Sequence, residues 1–287
     1  MTLYLHSFRP DLGRLLRLAA RERLLPPGDD PGYAIHAVFA AAFGEHAPKP
    51  WVLLPPGQGG GPAGRLLAYA ESPLVVLRQH ATTFADPAFA APLALDDAES
   101  RPMPTTFPAG ARLGFRVRVR PVVRTGRPLA GHPSTADRGD RARERDAYLA
   151  HVTARGRAAD GAPNNVGGNA AEPGPSAGAL LSRAECYLGW LDARLRDAGA
   201  SIVREPDRAS PDGPCTARVE AFRFTRLLAR NRSAGQSRSQ HTDGPDATIT
   251  GTLVVDDPSL FATGLARGVG RFRAFGFGML LLSPPRG

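Results

Sequence analysis

At 287 residues the chain can hold two small domains around separate cores. A net charge of +9 and a pI near 10.6 favour an anionic partner, and no apolar run approaches membrane-spanning length. Cys186 and Cys215 fit neither a metal spacing nor a disulfide framework, so a stapled secreted scaffold and a cysteine metal site are both excluded. The amino end, Met-Thr-Leu-Tyr-Leu-His, carries no cationic leader, which predicts a soluble, cytoplasmic protein. Lys49 is the only lysine, and every other basic residue is arginine. The heavy Ala, Gly, Pro and Arg usage reads as compositional bias, so the placement of charge matters more than its chemical type.

In chain order, Leu3–Phe8 reads as a first strand and Asp11–Leu25 as an amphipathic helix with leucines at 12, 15, 16 and 24. The run 26–32, Pro-Pro-Gly-Asp-Asp-Pro-Gly, breaks the chain. Asp30 then serves as N-cap and Pro31 as first residue of a helix that Gly44 ends. Ile35, Val38, Phe39, Ala42 and Phe43 form its apolar stripe. At 100° per residue Tyr33 falls opposite that stripe and His36 beside it, as i, i+3 neighbours within the first two turns. A helix start favours an anion there.

Trp51–Leu54, Arg65–Ala70 and Leu74–Arg78 read as short strands between Gly/Pro turns. Arg112–Arg120 alternates strictly between large apolar residues and arginine. Arg116, Arg118 and Arg120 thus share one face, and Arg112, Arg124 and Arg127 extend a run without acidic residues. From 126 to 178 the composition turns to Gly, Ala, Pro, Asn and Ser around one charged helical stretch at Asp140–Arg155, and Ala162–Ala177 is expected to be disordered or a linker. Leu180–Asp197 is an amphipathic helix burying Tyr187, Leu188, Leu191 and Leu195. Arg218–Arg230 and Ala247–Val255 read as arms of a hairpin with a polar, basic tip at Asn231–Asp246; the hairpin carries Arg223, Arg226, Arg230, Arg232 and Arg238.

Asp256-Asp257-Pro258 opens a helix that runs into a loop containing Arg267, Gly268, Gly270, Arg271, Arg273, Gly276 and Gly278, before a last strand at Met279–Ser283. Glycines beside fixed positive charge suit a polyphosphate chain. The dinucleotide fingerprint is not met, because Arg273 stands where its third glycine belongs, and a nucleic-acid backbone is the better candidate. Asp-Pro at a helix start explains Asp256 and Asp257 better than a metal pair does, so no metal and no cofactor are expected. The order strand, helix, strand, strand, helix, strand occurs twice, without a detectable sequence repeat. It predicts an α+β protein of two tandem ferredoxin-like (RRM-like) domains. Their expected bounds are 1–125 and 179–287, with an insertion or linker at 126–178.

The segment from the Asp-Asp-Pro helix through Arg267-Gly268-Val-Gly270 and Gly276-Phe-Gly278 to the final strand resembles the carboxyl end of CRISPR repeat-processing endoribonucleases of the CasE type, in the RAMP superfamily. The basic strand ending at Pro121 and the Tyr33-Ala-Ile-His36 pair are similar to two further pieces of that family. The resemblance implies a catalytic Tyr33 and His36 and a stem-loop CRISPR repeat RNA cut at the base of its stem, with the hairpin arginines placed to lie along that stem. It also implies further subunits of a type I, Cascade-like effector complex as partners. Such cleavage needs no metal if the RNA's own 2′-hydroxyl attacks the adjacent phosphate, leaving a 2′,3′-cyclic phosphate and a 5′-hydroxyl. Histidine can act as base or acid near neutrality, whereas tyrosine, with a pKa of about 10, is a poor base. Tyr33 is therefore expected to orient the nucleophile or donate to phosphate, with the glycine loop and Arg271 or Arg273 stabilising developing charge. A non-catalytic CRISPR RNA-binding subunit on the same fold is the alternative, and a nucleotide-binding enzyme using the glycine loop is a remoter one.

Overall fold

The computed structural model describes residues 2–26, 28–57, 60–61, 64–104, 106–125, 143–160, 181–205, 215–233 and 236–284. β1 (Tyr4–Phe8) is followed by α1 (Leu12–Arg21), α2 (Gly32–Phe43), β2 (Trp51–Leu54) and β3 (Arg65–Ala70). α3 (Leu74–Phe84), the single turn α4 (Pro87–Ala90) and β4 (Glu99–Pro102) complete the first half. These strands form an antiparallel sheet of order β2-β3-β1-β4. In the second half, β5 (Arg112–Val119), β6 (Val122–Thr125), β7 (Arg143–Asp146), α5 (Ala147–Asp160) and α6 (Arg183–Arg196) come first. β8 (Ala200–Ile202), β9 (Arg218–Ser233), β10 (Gln236–Val255), α7 (Pro258–Arg267) and β11 (Leu281–Ser283) follow. The second sheet runs β11-β5-β10-β8 with β9 paired to β10, while β6 and β7 form a separate ribbon. Both sheets place the fourth strand of their motif beside the first, then the third, then the second. The chain is thus a tandem ferredoxin-like α+β protein.

Local chemistry sets several boundaries. Asp11 accepts from the Arg14 amide at 2.9 Å to start α1. Ser182 and Glu185 close a capping box on α6. Asp257 accepts the Ser259 and Leu260 amides, each at 2.9 Å, and Pro258 takes the first position of α7.

Five expectations need correction. Leu74–Arg78 is not a strand but the first part of α3. Leu77 and Ala81 are buried one turn apart, and the connection from β3 to β4 requires a crossover helix there. β4 was not foreseen, since Glu-Ser-Arg-Pro is exposed along its length and carries no apolar signal. The charged stretch 140–155 divides into strand β7 and helix α5. The arms of the hairpin are also longer than expected, reaching Ser233 and beginning at Gln236. The expected break after residue 125 groups β5 with the first half, whereas its pairing with β10 and β11 makes it an inner strand of the second sheet. The stretch Ala162–Ala177 lies outside the described residues.

One core lies between the first sheet and α1 to α3, built on Phe8, Ile35, Phe39, Phe43, Trp51 and Leu77. A larger core spans the second sheet with α6 and α7 and also takes in Leu3, Leu5, Val52 and Tyr69 from the first sheet. The two halves are therefore joined by buried apolar surface, at roughly 25 cal/mol per Å². Tyr69 adds a polar tie, its buried hydroxyl donating to the Leu280 carbonyl at 2.9 Å. Among the described residues, no helix is long and apolar enough to cross a membrane. Tyr69→Phe removes the donor from a buried carbonyl and should lower unfolding free energy by about 1–3 kcal/mol. Urea denaturation followed by fluorescence should show the midpoint shift within a single transition; two separated transitions would contradict the shared core.

Candidate functional site

Tyr33 and His36 lie on the first turns of α2, both half-buried, with ring centroids 6.3 Å apart. They meet the glycine loop of the second half. Phe275, in a tight turn over Arg273–Phe275, stacks on Tyr33 at 6.3 Å and 18° and lies 5.1 Å from the His36 ring. The loop is held there by Trp51, whose indole N–H donates to the Ala274 carbonyl at 3.1 Å. The pair from one end of the chain and the loop from the other thus form one site.

Burial, and after it the charge of Lys49, holds the His36 imidazole below its ordinary pKa of 6.5. His36 is consequently neutral at pH 7, the form that accepts a proton. Lys49 is exposed and lines a cleft with Glu71, Arg267, Arg271, Arg273 and Phe275. Sequence reasoning passed over this residue. Its being the sole lysine of an arginine-rich chain was the one available signal, and only the fold brings it to the pair.

The glycine loop works differently from the expected phosphate cradle. The Val269 amide donates to the Gly278 carbonyl at 2.8 Å, the Gly278 amide to the Arg118 carbonyl at 2.7 Å, and the Gly268 amide to the Gly264 carbonyl at 2.8 Å. Those donors are not available to an anion. Close packing is what demands glycine here. At Gly276, with φ at +86°, an added Cβ would stand 2.7 Å from the Trp51 ring. At Gly268, with φ at +77°, it would stand 2.8 Å from Pro50. Gly270 and Gly278 likewise leave no room, against Trp190 and the Val269 carbonyl.

The cations around the cleft are partly engaged. Arg271 Nε meets Glu144 Oε1 at 2.6 Å, and Arg273 Nη1 donates to the Arg267 carbonyl at 2.9 Å. Burial first, and then the neighbouring charge of Arg267, lowers the Arg273 pKa. An anion placed between Arg267 and Arg273 would relieve that repulsion.

The arginine face of β5 is the principal correction. Phe115, Val117 and Val119 do point into the core, but the alternate face does not open to solvent. Arg118, its side chain 15% exposed, bonds both oxygens of Asp246 at 2.9 and 2.6 Å and Asp30 Oδ2 at 2.5 Å. Burial opposes its charge, but Asp246 and Asp30 outweigh that and raise its pKa. Arg120, 1% exposed, donates to the Thr225 and Thr242 carbonyls and lies over Phe272. Both guanidiniums are largely withdrawn from solvent. Arg116 pairs with Glu220 at 3.2 Å and Arg226 with Asp243 at 2.9 Å, in solvent-accessible pairs that a phosphate can displace. Arg124 is exposed on β6. The side chains of Arg230 and Arg232 lie outside the described residues. No group of three or more metal-ligating side chains occurs among the described residues.

Two ferredoxin-like units that meet at a Tyr/His helix and a glycine loop define the class of protein. A family model described as "CRISPR associated protein" matches residues 4–284, and the chain belongs to that family. Among solved structures, the CRISPR endoribonuclease Cse3 bound to a 19-nucleotide RNA is similar at 18% identity and a TM-score of 0.55, over 99% of this chain and 100% of that one. Cse3 of Thermus thermophilus bound to an RNA representing a pre-cleavage complex is similar at 18% identity and a TM-score of 0.54, with the same coverage. At this identity the likeness carries the fold. No curated protein sequence matches.

The charge coupling between Lys49 and His36 is directly measurable. By NMR the His36 ring should titrate below 6.5. Lys49→Met removes a cation that disfavours the protonated form and should move that titration upward; an unchanged titration would separate the two residues.

Proposed function

We propose that the chain is a CasE-type endoribonuclease that cuts CRISPR precursor RNA at the base of a repeat stem-loop. The observation that carries this reading is the neutral, half-buried His36 beside Tyr33, under Phe275 and next to a cleft lined by Lys49 and arginines. The likeness to Cse3 structures that hold RNA supports it. In this mechanism His36 takes the proton of the RNA 2′-hydroxyl, and the oxygen attacks the adjacent phosphorus. Tyr33 orients the nucleophile or donates to a phosphate oxygen. Lys49 and Arg267, with Arg271 or Arg273, offset the negative charge of the phosphorane-like state. The bond to the 5′-oxygen breaks, that oxygen takes a proton from water, His36 returns its proton to solvent, and the products are a 2′,3′-cyclic phosphate and a 5′-hydroxyl.

No step calls on a metal. A-form RNA hides its base edges in a narrow major groove, so recognition rests on shape and phosphates, with Arg226, Arg230 and Arg232 of the β9–β10 arm beside the stem and Arg116 and Arg124 as further contacts. The cut RNA stays bound and enters a multi-subunit effector complex in the same reading.

The test is single-turnover cleavage of a repeat stem-loop RNA in EDTA. His36→Ala should slow cleavage by about 10²–10⁴ with binding retained, and one 2′-deoxy substitution 5′ of the cut should abolish it. Binding without cleavage by the unaltered protein would instead identify a non-catalytic RNA-binding subunit.

A further inference from the structure

We propose that the Arg118–Asp30–Asp246 cluster is a positioning device tying the β9–β10 arm to the first turn of α2, so that RNA held on the arm aligns Tyr33 and His36. The proposal rests on the cleavage reading above. Its basis is the number of ties that converge on two residues just ahead of the helix. The Asp30 amide donates to the Arg226 carbonyl of β9 at 2.9 Å. Asp30 Oδ1 accepts the Gly32 amide at 2.8 Å, at the first residue of α2, while its Oδ2 takes Arg118 at 2.5 Å and faces Arg223 at 3.7 Å; Pro31, not Asp30 as the sequence suggested, is the N-cap. Arg223 also donates to Asp246 at 2.9 Å, and these two residues are register partners across the arm. On the outside, His241 Nδ1 of β10 meets Asp29 Oδ2 at 3.0 Å.

A carboxylate that bonds the first amide of the helix with one oxygen is thus held through the other by the arm and by β5 of the second sheet. Tyr33 follows three residues later and His36 six. The helix start has no slack on its other side. A Cβ at Gly32 would stand 2.4 Å from the Phe275 carbonyl, so α2 is lodged between the arm and the loop. A shift of the arm cannot be absorbed locally; it must move the start of α2, and with it the pair. Misplacement by about 1 Å is enough to cost 10²-fold in rate, so the tie has leverage on cleavage without touching substrate. Arg223, its side chain 65% exposed, is the member within reach of RNA.

The experiment uses the full chain and three variants, Asp246→Asn, Asp30→Asn and the double, with a cleavable stem-loop and its 2′-deoxy counterpart. Single-turnover cleavage should fall about 10- to 100-fold in each single variant while affinity for the 2′-deoxy RNA stays within about threefold. Because the residues act as one unit, the double variant should lose no more than the worse single. Hydrogen exchange supplies a readout independent of chemistry. The 2′-deoxy RNA should protect peptides over residues 29–36 in the unaltered protein and not in Asp246→Asn. Losses that add, or affinity and rate that fall together, would overturn the device and leave a plain structural anchor. RNA-dependent protection without any cleavage by the unaltered protein would remove the cleavage reading and leave the tie, whereas absent protection would remove the tie itself. If a buried variant fails to fold, His241→Ala cuts the outer tie alone and should slow cleavage about threefold at unchanged affinity; no change in rate would count against the proposal.

Discussion

Arg118 is the residue on which the arrangement depends. A guanidinium taken out of water costs several kcal/mol unless opposite charges and acceptors meet it there. Asp246 from β10 and Asp30 from the segment ahead of α2 supply them, and the Phe277 ring lies 4.2 Å beneath the charge. Each carboxylate is itself buried, so none of the three groups can leave without stranding the others. Burial alone would push the Asp246 carboxyl up, but Arg118, and then Arg223, bring it below the ordinary range. One buried cluster therefore fixes β5 of the second sheet, the base of the arm and the start of the helix that carries Tyr33 and His36.

The candidate site exists only where the two ferredoxin-like units touch. Its helix belongs to the first unit and its glycine loop to the second. Trp51 and Pro50 of the first unit fill the space that Gly276 and Gly268 leave open. Burial at this seam is also what gives His36 its chemistry, since desolvation is the larger cause of its lowered pKa and Lys49 the smaller. In water an imidazole is half-protonated at its ordinary pKa of about 6.5, so the seam enlarges the neutral fraction of His36 near neutrality. Of the cations lining the cleft, Arg271 pairs with Glu144 and Arg273 with the Arg267 carbonyl, while Arg116, Arg118, Arg120 and Arg226 have partners elsewhere. Exposed partners give way to phosphate at little cost, and buried ones do not. That difference divides Arg116 and Arg226 from Arg118 and Arg120.

Much of this was legible from residue order. The amphipathic spacing of α1 and α6, the Asp-Pro start of α7 and the Tyr-x-x-His pair on a helix follow from local rules of capping and periodicity, which act within a few residues. The double succession of strand and helix likewise pointed to tandem ferredoxin-like units. Local rules failed where a segment satisfied two of them at once. Leu74-Val-Val-Leu suits either a strand or a helix, and the crossover decided for the helix. The short edge strand β4 carries no apolar signal and exists because β1 offers it a partner.

Sequence by itself determined the element types, the basic character of the chain and the pairing of Tyr33 with His36, because these depend on neighbours three or four positions away. Tertiary structure decided which side of each strand meets water, which arginines stay available, and that Lys49 and Phe275 belong beside His36. The alternation in β5 separates two faces but does not say what covers each. Only the approach of Asp30 and Asp246, 88 and 128 positions away along the chain, turns Arg118 from a surface cation into a buried one. Long-range electrostatics and packing are properties of the folded arrangement, and a linear pattern cannot encode which distant charge arrives.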